Sequence, residues 1–162
     1  MDECELSGTK IKYKGASAER IEQLDADLSG FEALCLALAS SQIITLSLKK
    51  CYLGPQAIAL LADAISKMAS VVTINCLANN FGEDGLSTLL AAIKGTSVRS
   101  LCGLTEGQTV ADFSDQNLGP IDCKIMAAEF AFQGFIASIV EINLSGQPLT
   151  GATQNLSKVS QP

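Results

Sequence analysis

The 162-residue sequence has no histidine and no tryptophan, and aromatic residues make up only 5% of it. Without histidine there is no imidazole to act as a general base near neutral pH, and zinc sites built on imidazole are excluded. The six cysteines, Cys4, Cys35, Cys51, Cys76, Cys102 and Cys123, stand 16 to 31 residues apart with no C-x-x-C pair, so a zinc ribbon is excluded too. Basic residues are also scarce, 11 against 17 acidic ones, for a net charge of −6. A surface that tracks phosphates needs the opposite balance, which makes nucleic acid a poor partner. Long apolar runs are missing. The stretch Ala33 to Leu48 is uncharged but carries Ser40, Ser41, Gln42 and Thr45, and it falls short of the roughly 20 residues a spanning helix needs. The start, Met1-Asp2-Glu3-Cys4-Glu5, shows neither the basic nor the apolar region of a signal peptide. The expectation is a cytoplasmic or otherwise intracellular protein with no membrane insertion and with free, mostly buried thiols.

What is present is an aliphatic core with a period. Hydrophobic residues are 48% of the chain, and its length suits one compact domain. The pattern Ile43-x-x-Leu46-x-Leu48-x-x-Cys51-x-Leu53 returns 28 residues later as Val71-x-x-Ile74-x-Cys76-x-x-Asn79-x-Phe81. A third copy begins at Val98-x-x-Leu101, and a fourth reads Ile139-x-x-Ile142-x-Leu144-x-x-Gln147-x-Leu149. Phe113-x-x-Gln116-x-Leu118 repeats the second half alone. Each pattern is followed by a near-3.6 period opened by Gly54-Pro55, Gly82-Glu83-Asp84 or Gly119-Pro120, which predicts helices starting at those signals. Between Leu101 and Asp112 the connection is too short for a helix and its return, so a turn through Gly103 and Gly107 is expected there.

These positions together resemble the leucine-rich repeat family, in its ribonuclease-inhibitor-like class, with Cys51 and Asn79 at the alternating ninth step. The resemblance covers roughly residues 21 to 151. It implies an α/β leucine-rich-repeat solenoid of about four to five repeats, with a curved parallel sheet inside and helices outside. Residues 1–40 then form an N-terminal cap and degenerate first repeat, including a Lys10-Ile11-Lys12-Tyr13-Lys14 edge strand. Residues 41–151 form the repeats and 152–162 a C-terminal tail. Gln116 and Gln147 depart from the family pattern at the ninth step, being longer than Asn or Cys.

In that frame the concave face carries Lys49, Lys50, Val72, Asn75, Leu77, Arg99, Asp112, Asp115, Glu141 and Asn143, polar at both ends and apolar in the middle. The expected function is a protein–protein interaction module that binds a protein partner through this face, with no enzymatic activity, cofactor or metal. The alternative is a structural or auxiliary subunit of a large multiprotein assembly, docked by an uncapped end near Ile142 and Leu144 and by its convex helices. Asp112 and Asp115 are the one carboxylate pair considered for acid–base work or cation binding, and no third ligand or nucleophile accompanies them. Cys102 is expected on the same face as an inert thiol, having no histidine beside it.

Overall fold

The computed structural model describes residues 6–14, 17–132 and 135–147; Cys4, Leu149 and the expected tail at 152–162 lie outside the described residues. The chain runs β1 (Lys10–Lys14), β2 (Ser17–Gln23), α1 (Ser29–Ala39), β3 (Thr45–Ser47), α2 (Pro55–Ile65), β4 (Thr73–Asn75), α3 (Gly82–Ala92), β5 (Val110–Asp112) and α4 (Pro120–Phe132). A 3-10 turn (Phe135–Ser138) and β6 (Glu141–Asn143) follow.

The helices begin where their local signals stand. Pro55 lies in the first turn of α2, where its missing N–H leaves no bond unmade. The remaining N-terminal donors of α2 are met from a distance. The Asp25 carboxylate accepts from the N–H groups of Gly54 (2.9 Å), Gln56 (2.9 Å) and Ala57 (3.1 Å). A Cβ on Gly54 would come within 2.5 Å of that carboxylate, so a larger residue would have to displace it from the helix start. Helix α3 carries Glu83 and Asp84 in its first turn, at the positive end of its dipole. Apolar residues at helical spacing bury Ile58, Leu61 and Ile65 of α2 and Leu86 and Leu89 of α3 in one cluster with Ile74, Leu101, Leu118 and Ile125. Helix α2 packs between α1 and α3, whereas α3 meets α4 far less closely.

The solenoid that the family resemblance implies is not formed, and the leucine-rich-repeat reading of the fold is corrected accordingly. The described strands make three separate two-stranded sheets, β1–β2, β3–β4 and β5–β6, instead of one curved parallel sheet. The first is antiparallel, so Ser17–Gln23, within the expected degenerate first repeat, pairs with Lys10–Lys14 instead of joining a parallel sheet. The other two are parallel, with Thr45 opposite Thr73 and Val110 opposite Glu141. Beyond β4 the next segment makes only isolated bridges, Thr73 to Ser100 in parallel and Asn75 to Cys102 in antiparallel sense. The chain turns there through Gly103, at φ +80°, whose missing side chain leaves room for Asn75.

At this break the backbone is bound by a side chain. The N–H groups of Leu101 (2.8 Å) and Cys102 (3.0 Å) donate to the Glu129 carboxylate, and so does the Ser100 hydroxyl (2.5 Å). These backbone donors are therefore met by a side chain instead of by strand pairing. Asn79 does comparable work one segment earlier. Its Oδ1 accepts from Cys51 N–H (3.2 Å) and Leu53 N–H (3.0 Å), while its Nδ2 donates to the carbonyls of Leu48 and Cys76. Gln147 repeats this at the last turn, accepting from Leu118 N–H (2.7 Å) and donating to the Phe113 carbonyl. The longer side chain thus serves at its position.

Replacing Asn79 by Ala strands buried donors and acceptors at once, and should destabilise the fold by about 2–4 kcal/mol in urea unfolding. Asn79→Asp, which keeps the acceptor but loses the donor, should fall between the two. A loss below about 0.5 kcal/mol for Asn79→Ala, the size usual at ordinary surface sites, would remove this side chain from its assigned role.

Candidate recognition cleft

Lys49, Asn75 and Asp112 come together around a cleft of about 160 Å³, with Gln108 and Gln116 completing its polar edge. Lys49 follows β3, Asn75 ends β4 and Asp112 ends β5, so three strands deliver one side chain each. Lys50 lines an adjoining hollow of about 350 Å³ with Asn80, Asn117 and Asp122, and Gln116 borders both. Lys50 and Ala78 hold left-handed backbone (φ +55° and +57°) at turns 28 residues apart, which aims the chain away from the strands and opens this hollow.

The other expected site residues are dispersed. Leu77 is fully buried at 0% exposure and belongs to the core, so it is corrected from a surface contact to a packing residue. Cys102 is likewise buried, 4% exposed, although it is among the residues that line the cleft. Val72 is half-buried, and its carbonyl accepts from Arg99 N–H (2.7 Å). Arg99 is exposed but lies beside the end of α3. Asp115 and Glu141 are exposed, and Asn143 is half-buried on β6.

Three of the polar candidates are already engaged by their own backbone. Asn75 Oδ1 accepts from Leu77 N–H (3.1 Å), Asp112 Oδ1 from Ser114 N–H (2.9 Å) and hydroxyl (2.7 Å), and Asn143 Oδ1 from Ser145 N–H (3.1 Å) and hydroxyl (2.8 Å). These are Asx turns, in which the side chain imitates a backbone carbonyl and closes the exit from a strand. For Asp112 the Ser114 hydrogen bonds hold the carboxyl below its ordinary range. That is the reverse of what a general acid requires. No family model matches the chain, and no curated protein matches it.

Two buried carboxylates were not among the sequence candidates. Asp122 (5% exposed) and Glu129 (1% exposed) share one face of α4 with Ile125 and Met126. Their 122, 125, 126, 129 spacing is the legible signal, since it puts both acids on the helix stripe that faces the core. Asp122 accepts from Ala78 N–H (2.7 Å) and Gly119 N–H (2.8 Å). Burial pushes its carboxyl above the ordinary range, and those hydrogen bonds oppose the shift. Burial, and then the Glu129 charge, push Cys76 up to about 12 and Cys102 well above the ordinary thiol range. Both are thus protonated and poor nucleophiles at neutral pH. Among the described residues no group of three metal-ligating side chains forms, and no helix is long and apolar enough to cross a membrane.

Because folding raises the Asp122 pKa, the folded chain binds that proton more tightly than the unfolded chain. This group's contribution to stability is therefore lost as pH rises from the unfolded value near 3.8 through the folded one. Comparing wild type with Asp122→Asn by urea unfolding, the balance should move towards wild type as pH falls from about 7 to about 4. Movement the other way would mean that the Ala78 and Gly119 bonds outweigh burial. In a Cys4→Ser background, a thiol reagent should label exposed Cys123 quickly and reach Cys35, Cys51, Cys76 and Cys102 only after denaturant is added. Fast labelling of Cys102 in the native chain would contradict its burial.

Proposed function

We propose that the protein is a non-catalytic protein-binding module whose recognition surface is centred on the Lys49–Asn75–Asp112 cleft. One observation carries this reading: a cation, an amide and a carboxylate from three different strand ends border a single polar cleft, with Gln108 and Gln116 beside them. Locally closed Asx turns make that surface rigid, and a rigid surface loses little entropy when a partner docks. The Asp112 carboxyl, held low, stays charged and suits charge pairing rather than proton transfer. The partner is a protein of complementary charge pattern. Among the described residues no disulfide forms and four of the five cysteines are buried, which fits a reducing intracellular compartment.

A second reading has its own observation. Phe130 (51% exposed), Ile142 (36%) and Leu144 (37%) border an apolar hollow of about 200 Å³ between α4 and β6, as a subunit docked into a larger assembly would present.

Quantitative affinity capture separates the two. Lys49→Glu and Asp112→Lys, both in residues that line the cleft, should each lower recovery of the same partner, and together by roughly tenfold, equal to about 1.4 kcal/mol. Ile142→Lys should leave recovery intact. Loss with Ile142→Lys alone would favour the assembly reading, and unchanged recovery with both charge reversals would overturn the cleft.

A further inference from the structure

We infer that the groove between the C-terminal end of α3 and α4 is a docking site for an acidic amphipathic helix of a partner protein, separate from the cleft above. The connection from Lys94 to Thr109 carries no helix. Helices α3 and α4 therefore stand apart at this end instead of packing along their lengths. The opening is a groove of about 480 Å³, within the roughly 300–1,000 Å³ span of ligand sites. It is lined by the apolar Leu90, Ile93, Val98, Ala128 and Ala131, the last of them exposed, and by the cations Lys94 and Arg99.

The charge pattern identifies the occupant. The chain as a whole is acidic, at −6, yet among the described residues no carboxylate lines this groove and its two charged residues are both cations. Among the described residues ion pairs such as Arg20–Glu22, Lys67–Asp63 and Lys124–Glu83 form, and none of them involves Lys94 or Arg99. The Arg99 guanidinium is held by Nη1 donating to the carbonyls of Thr96 (3.3 Å) and Val98 (3.2 Å). Its other nitrogens remain to meet a carboxylate in a fixed orientation. The alanines at 128 and 131, three apart on one face of α4, let another backbone approach closely. An apolar helix stripe laid on this lining, with Glu or Asp along its flank, satisfies both the apolar residues and the cations.

The test uses a labelled peptide of about 15 residues, roughly four helical turns, with Leu at i, i+3, i+4 and i+7 and Glu on the flanks. Fluorescence anisotropy against the full chain should show saturable binding that weakens as salt rises. A scrambled peptide and one with Lys in place of Glu should bind at least about tenfold more weakly. Lys94→Glu/Arg99→Glu should also weaken binding at least about tenfold, and Ala131→Trp, which fills the groove from an exposed position, should do the same. Both variants should keep the wild-type unfolding midpoint, and Lys49→Glu should bind the peptide as wild type does. Equal binding of the scrambled peptide, or insensitivity to both groove variants, would overturn the inference. So would binding of dodecanoate without the peptide, which would assign the groove to a small amphiphile.

Discussion

Turn backbone buried between strand and helix must have its hydrogen bonds made, and in this protein side-chain oxygens from distant segments make them. Asn79 serves the turn at Cys51 and Leu53, Gln147 the turn at Leu118, Glu129 the turn at Leu101 and Cys102, and Asp25 the start of α2. Among the described residues no buried side-chain nitrogen or oxygen lacks a partner. Because a stranded N–H costs about 1–3 kcal/mol, each of these side chains ties its own segment to another far away in sequence. The aliphatic core fills the space between them.

The same requirement sets the shape of the surface. Where Asn79 completes a turn, β3 and β4 pair in parallel and the helices on either side pack closely. Where Glu129 takes its place, a carboxylate with no donor to offer occupies two backbone N–H groups, the strand ladder ends and the stretch from Lys94 to Thr109 carries no helix. The cleft around Lys49, Asn75 and Asp112 and the groove between α3 and α4 both adjoin this interrupted segment.

Much of the local structure could be read directly from residues. Gly54-Pro55 and Gly119-Pro120 announced α2 and α4, the acidic first turn announced α3, and Gly103 announced the turn that replaces a helix. These signals act within a few residues, so they need no knowledge of the fold. The face assignments were less legible. Leu77 reads as exposed by strand alternation, yet it lies past the end of β4, where the Asx turn at Asn75 has already redirected the chain into the core. Alternation cannot report a turn that a side chain closes.

By itself the sequence determined an aliphatic α/β chain with buried thiols, the starts of its helices and a 28-residue spacing, because each depends on composition or on neighbours along the chain. Only the tertiary structure decided that the strands stay in three short pairs, that Glu129 and Asp122 turn inward, and that Arg99 parts company with Lys49 and Asp112. Those outcomes turn on which distant oxygen reaches which backbone N–H. A single sequence records the donors and acceptors but not their pairing.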